Sequence, residues 1–198
     1  MHIEDEREKL LQHLELASRI STKHQTLPVL QCVLFDASSE GALLLRATNL
    51  ELGFEAKLSA QIKNGGILAV PAALLAQTIA LLRDKTVTLR NDGEVLVVGT
   101  GKSRTTIKTL PHDEFPLIPQ LMGKAQTLSG SLFTLGIKTA AFATSQSSIK
   151  PELGSVLIHQ QKPQTLTFVA TDSFRLVEKT VPQQAVVLEG SFLVPQRN

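Results

Sequence analysis

Gly99-Thr100-Gly101-Lys102-Ser103 holds the residue types of a phosphate-binding loop, with a lysine and a hydroxyl directly after a glycine. Such a loop also needs a glycine five positions earlier and a helix straight after it, whose N-terminal amides hold the anion. Leu96 stands at the earlier position, and Arg104–Lys108 reads as a strand. The segment is therefore predicted to be a hairpin turn, and a nucleotide-binding enzyme built around Gly99–Ser103 is set aside. His2, His13, His24, His112 and His159 are scattered, without the close pairing that metal ligands need. Asp113-Glu114 lies in a proline-rich stretch, where neighbouring carboxylates are solvated. No hydroxyl or thiol has a base at a recognisable spacing. The sequence points to no catalytic residue, no metal site and no cofactor.

Bulk properties narrow the class further. With 198 residues the chain makes one large domain or two of ordinary size, and 42% hydrophobic residues allow a packed core. A net charge of +2 is far from the basic excess of a tight nucleic-acid binder. It fits loose, sequence-blind phosphate contact, or none. Trp and Tyr are absent, and most of the 8 Phe sit in apolar patterns, so no base-stacking surface for single strands is expected. Cys32 is the lone cysteine, inside the apolar run Val29–Phe35, which suits a reducing cytosol rather than a disulfide framework. The acidic start Met-His-Ile-Glu-Asp-Glu-Arg-Glu is unlike a signal peptide, and no apolar run is of membrane-spanning length. A cytoplasmic protein is expected.

The chain repeats itself at an offset of 123 residues. Leu27-Pro28-Val29-Leu30 before Val33-Leu34-Phe35 matches Lys150-Pro151-Glu152-Leu153 before Val156-Leu157-Ile158, and Ala47-Thr48-Asn49 matches Ala170-Thr171-Asp172. With one extra residue, Val70-Pro71 matches Val194-Pro195. Side-chain agreement fades after the turn, where Leu52 pairs with Arg175 and Gly53 with Leu176. Copy one spans residues 1–123. Copy two, residues 124–198, stops just after its own Val-Pro and reads as the first half of a repeat. A weaker offset of 52 pairs Ala47-Thr48-Asn49 with Gly99-Thr100-Gly101 inside copy one, which divides it into two halves, each a helix followed by three strands.

Helical spacing supports this. Leu10, Leu14 and Ala17 share a face over 7–20, Leu75, Ile79 and Leu82 over 71–82, and Phe133, Ile137 and Ala140 over 131–143. Pro71 suits the first helical position. Asn91-Asp92-Gly93 and Ser38-Ser39-Glu40-Gly41 are hairpin turns. Residues 110–123, with three prolines, read as an extended linker between the copies.

Thr26-Leu27-Pro28-Val29-Leu30, Ala47-Thr48-Asn49-Leu50-Glu51, Val70-Pro71, Thr109-Leu110-Pro111 and Glu114-Phe115-Pro116 resemble the first domain of the bacterial DNA sliding clamps, the beta subunits of DNA polymerase III. Lys150-Pro151-Glu152-Leu153 and Ala170-Thr171-Asp172-Ser173-Phe174-Arg175-Leu176 resemble their second domain. The resemblance runs in order along nearly the whole chain. It implies an α+β fold of the DNA-clamp (processivity-factor) type, with repeated helix-plus-antiparallel-sheet halves, two per domain. It implies a complete first domain, a second domain cut after its first half, and an absent third. In the family, two three-domain chains close head to tail into a homodimer ring around duplex DNA. The ring holds the polymerase and the clamp loader by short peptide tails and is an accessory subunit, not an enzyme. Grip on the duplex is topological, so phosphate contacts stay loose and salt-dependent, and tethering raises the polymerase's effective concentration at the primer end.

Carried over residue by residue, the resemblance implies DNA contact for Arg19, Lys23, His24 and Lys150. The same residues also read as ordinary solvated charges, some favouring a helix C-terminus. His24 stands where the family often has arginine, and Ala72-Ala73-Leu74 where it often has basic residues, which implies a weaker hold on DNA. Leu153, Thr171, Asp172, Ser173, Phe174, Arg175 and Leu176 resemble one wall of the pocket for partner peptide tails. They also read as a tight turn in which Asp172 caps its own backbone. Arg104, Thr105, Thr106, Ile107 and Lys108 resemble the edge at which the ring closes. The alternative is a truncated relative of the clamps that acts as a protein-interaction module and does not encircle DNA.

Overall fold

The computed structural model describes residues 1–21, 27–39, 41–119, 125–146, 150–183 and 186–196. The chain divides into two compact units, Met1–Pro119 and Gln120–Asn198. The expected copy boundary between Gly123 and Lys124 lies outside the described residues.

Unit 1 begins with strand β1 (His2–Glu6) and helix α1 (Arg7–Ile20). After a 3-10 turn at Pro28–Gln31 come β2 (Cys32–Ser39), β3 (Ala42–Thr48), β4 (Gly53–Ser59), β5 (Gln61–Asn64) and β6 (Ile67–Pro71). Helix α2 (Ala72–Ala80) follows, then β7 (Thr86–Asp92), β8 (Val95–Gly99) and β9 (Arg104–Lys108). Two antiparallel sheets form, in the orders β4-β3-β2-β6 and β5-β1-β7-β8-β9. The helical stripe read from the sequence is the buried face of α1: Leu10, Leu14 and Ala17 are fully buried. They share one core with Phe35, Leu43 and Leu45 of the first sheet, Leu75 and Ile79 of α2, and Leu89 and Leu96 of the second sheet.

The halves are not simple runs of a helix and three strands. β1 leaves the first half to pair with β7, and β6 leaves the second to pair with β2. The exchange stitches the two sheets into a single unit. Pro71 ends β6 and caps α2 rather than opening it, at φ −54°. At the β7–β8 hairpin Gly93 alone supplies the positive φ, +62°. Residues 110–119 are more than a linker. Leu110 bridges to Ala69, a 3-10 turn forms at His112–Glu114, and Phe115 is buried in a second cluster with Val29, Cys32, Leu34 and Ala69. The outer face of the β4-β3-β2-β6 sheet is apolar at Cys32, Leu34 and Ala69, with Val29 of the 3-10 turn beside them, and the stretch covers it.

Unit 2 repeats the first half of this plan. Helix α3 (Gly130–Ala141), a 3-10 turn at Pro151–Gly154, β10 (Ser155–His159), β11 (Thr165–Thr171), β12 (Leu176–Pro182) and β13 (Ser191–Pro195) give one sheet, β12-β11-β10-β13. This is the order of β4-β3-β2-β6, and register is kept as well: Val33 faces Val70, and Val156 faces Val194. Ser129 caps α3 by accepting the Leu132 N–H. The helix packs on β11 and β12, and Phe133 meets Phe168 edge to face at 5.5 Å.

Cover is what differs. Leu68 and Ala69 of β6 are 3% and 0% exposed; their counterparts on β13, Phe192 and Leu193, are 42% and 49% exposed. In unit 1 the second half covers one side of the strand and residues 110–119 the other. Among the described residues of unit 2 nothing takes either place.

Gly136 lets α3 approach the sheet, because a Cβ there would run into the Phe168 ring. Alanine would favour the helix by roughly 1 kcal/mol. The fully buried ring cannot give way, so overpacking of about 1–3 kcal/mol offsets that gain. Gly136→Ala is expected to lower the urea midpoint of unit 2 followed by circular dichroism; a raised midpoint would show that the helix is not held against Phe168.

Candidate partner-docking site

Three segments meet at one end of the unit 2 sheet. β10 and β11 pair with Leu157 opposite Val169, which sets the start of β10 beside the end of β11. The 3-10 turn before β10 carries Leu153, half-buried, whose N–H donates to the Lys150 carbonyl at 3.0 Å and whose carbonyl accepts the Ser145 N–H at 2.7 Å. That second bond brings the C-terminal end of α3 alongside. The third segment is the turn from Thr171 to Leu176.

Side chains fix that turn. Thr171 Oγ1 donates to the Arg175 carbonyl at 2.7 Å and accepts the Ser173 N–H at 3.1 Å. Asp172 Oδ1 accepts the N–H groups of Phe174 and Arg175 at 3.0 and 2.9 Å. These bonds hold Ser173 at φ +76°, a left-handed conformation that non-glycine residues seldom adopt. Asp172 Oδ2 pairs with Arg175 Nε at 2.9 Å. The two backbone amides, then the Arg175 charge, keep the Asp172 carboxyl below its ordinary 3.8.

Arg175 is held from a second side. Its Nη2 donates to the Phe142 carbonyl at 2.8 Å, and its guanidinium lies 5.3 Å from the Phe142 ring centroid. Phe174 is 98% exposed and Leu176 is exposed as well. The result is a rigid turn presenting one cation and several apolar side chains to solvent. That combination suits an extended peptide with apolar and acidic groups. Phe142 and Phe192 are exposed, although they stand in apolar helix and strand patterns. Phe142, which the Arg175 guanidinium overlies, is not singled out by the sequence, because an aromatic closing an amphipathic helix reads as core.

Unit 1 builds the same turn. Thr48 Oγ1 donates to the Leu52 carbonyl at 2.8 Å and accepts the Leu50 N–H at 3.0 Å. Asn49 Oδ1 accepts the N–H groups of Glu51 and Leu52, and Leu50 sits at φ +74°. Four bonds and one unusual φ recur at the offset of 123 although the side chains after the Asx residue differ. A looser version closes β8 to β9: Thr100 Oγ1 accepts the Lys102 N–H at 3.3 Å, and the Thr100 N–H meets the Ser103 carbonyl at 2.9 Å. Gly99–Ser103 is thus a hairpin turn followed by a strand.

The remaining predicted positions are spread out. Arg19 is exposed in the last turn of α1, and Lys150 is exposed at the turn before β10. Lys23 and His24 lie outside the described residues. β9 is an edge strand with Arg104, Thr105, Thr106 and Lys108 exposed and Ile107 buried. Cys32 is fully buried, and desolvation pushes its thiol up to about 12, which keeps it protonated. No group of three or more metal-ligating side chains occurs among the described residues, and none of their helices is long and apolar enough to cross a membrane.

A family model described as the DNA polymerase III beta subunit, N-terminal domain, matches residues 1–119. The chain belongs to this family. It is 34% identical over 190 residues to the beta sliding clamp of Synechococcus elongatus, covering 93% of this chain and 50% of that protein. It is 30% identical over 175 residues to that of Streptomyces coelicolor, covering 88% and 46%. The chain spans about half the length of these curated relatives. The solved DNA polymerase III beta subunit of Thermotoga maritima superposes with a TM-score of 0.89 at 26% identity, over 99% of this chain and 53% of that one. A Eubacterium rectale structure described as a beta subunit of the same polymerase superposes at 0.90 and 22% identity, which speaks to fold alone. The fold is that of the DNA clamps.

Two expectations follow for the turn. Thr171→Val removes a donor and an acceptor while keeping the shape, and should destabilise the turn by about 1 kcal/mol, read as faster amide exchange at Ser173 and Phe174. Because the Asp172 carboxyl is held below 3.8, the turn's order is fully present above that value and is lost as pH falls beneath it. An Arg175 side-chain NMR signal that does not change through that acid range would contradict the assignment.

Proposed function

We propose that this chain forms part of a DNA sliding clamp, a replication processivity factor that encircles duplex DNA and tethers the replicative polymerase and clamp loader. The carrying observation is superposition on sliding-clamp chains over essentially the whole of its length. In this reading Met1–Pro119 is the first clamp domain and Gln120–Asn198 the front of the second. The protein works in the cytoplasm and makes or breaks no bond. Its action is topological, so it needs charge without base recognition.

Arg19 and Lys150 serve as phosphate contacts, and Lys23 and His24 are assigned the same role from the family resemblance. The exposed edge of β9, Arg104–Lys108, offers unpaired backbone groups for closing a homodimer ring. Leu153, Phe174, Arg175 and Leu176, with Phe142, receive the peptide tails of polymerase and loader. Thr171, Asp172 and Ser173 hold those side chains in place.

A second reading is supported by α2, whose nine residues carry no charge at all. A clamp helix without cations holds phosphate poorly, which favours an interaction module that does not encircle DNA. Gel filtration on nicked circular plasmid separates the two, with the protein loaded by the cognate clamp loader and ATP. A sliding clamp elutes with the circle and is lost when the plasmid is cut to a line. Equal retention on both forms, or on neither, would give the second reading its place.

A further inference from the structure

The Thr48–Leu52 turn of unit 1 matches the Thr171–Arg175 turn of unit 2 bond for bond, yet its surroundings differ. Directly after it stands Gly53, the counterpart of Leu176. A Cβ on Gly53 would lie 2.9 Å from Ile118 Cγ2. The space beside the unit 1 turn is therefore filled by the chain's own Ile118. Phe115, three residues earlier, is buried against Val29, Cys32, Leu34 and Ala69 on the same sheet face, with Ile118 packed on that cluster. Leu117 between them is 97% exposed. Pro116 and Pro119 supply no N–H, so within residues 116–119 only Leu117 and Ile118 have an amide that could join a sheet. No strand pairing is seen there among the described residues. The stretch is held mainly by its two inward side chains.

We propose that Phe115–Ile118 is a built-in ligand of unit 1, an extended apolar segment that occupies the groove beside the Thr48–Leu52 turn and closes it to peptide tails. Where partner tails bind beside the Thr171–Leu176 turn, as proposed above, the two turns divide the work. The unit 2 turn stays open, and the unit 1 turn is sealed by the chain itself. What the unit 1 groove would accept when opened is a peptide of the same kind, extended, with two large apolar side chains three positions apart. The inference rests on the docking reading only for the comparison with unit 2. The seal itself rests on the packing of Phe115 and Ile118.

The test uses the full chain carrying Phe115→Ser and Ile118→Ser, with circular dichroism to verify folding. The probe is a fluorescein-labelled peptide of residues 112–119. Polarisation titration is expected to show one more equivalent of peptide bound by the variant than by the unaltered chain, and that extra equivalent survives Arg175→Ala. A folded variant with no gain overturns the proposal, since a merely structural segment would leave only a lower melting temperature. If the double variant does not fold, Gly53→Ala presses on Ile118 without stripping the segment. The same labelled peptide should then bind this variant with one more equivalent than the unaltered chain; no gain overturns the proposal. An unaltered chain that binds no peptide, beside a variant that binds one, would leave this inference standing and remove the docking reading. The converse would do the reverse.

Discussion

A sheet whose faces carry large apolar side chains must be covered, because each exposed aliphatic side chain forfeits on the order of 1.5–3 kcal/mol of burial. In unit 1 the requirement is met twice. Two helices and two sheets enclose one core, and strands β1 and β6 cross between the halves so that neither sheet closes without the other. The outer face of the first sheet is then capped by Leu110, Phe115 and Ile118. Unit 2 has the same strand order, register and 3-10 turn with a single helix among its described residues. Its strand β13 shows what lack of cover does: an aromatic and a leucine stand exposed where unit 1 buries a leucine and an alanine.

On this shared frame the two turns share their bonds and differ in what they display. A threonine hydroxyl and an Asx side chain close the turn at the same place in both units, so the backbone there takes the same course. What the turn displays is set by the next residues. Unit 1 has Leu52 and Gly53 there, with a cation, Arg19, at the helix end. Unit 2 has Arg175 and Leu176, with an aromatic, Phe142, at the helix end. The exchange lets the guanidinium of Arg175 lie over the Phe142 ring while still pairing with Asp172.

Much of this was legible in the sequence, for physical reasons. Leu10, Leu14 and Ala17 fall on one helical face, and a face so regular has to be buried. Asp92-Gly93 marks a hairpin because glycine tolerates the positive φ. The repeat at offset 123 was visible in short anchors such as Ala47-Thr48-Asn49 and Ala170-Thr171-Asp172, which turn out to be the residues that make the turn bonds. Strands β1, β5 and β6 were not legible. Each is short, and each pairs far from its neighbours in sequence, so no local pattern announces it. Phe115 was hidden because prolines on either side imitate a free linker. Phe142 was hidden because its partner, Arg175, is brought near only by the fold.

The central claim is that cover, rather than strand sequence, separates the two units. Hydrogen exchange read by mass spectrometry on β6 and β13 tests it most directly. These strands occupy the same sheet position and pair in the same register. The account predicts strong protection of Leu68–Val70 and much weaker protection of Phe192–Val194, because amides in an uncovered edge open at little cost. Equal protection of the two strands would contradict it and would mean that the unit 2 sheet is held by something other than the contacts described.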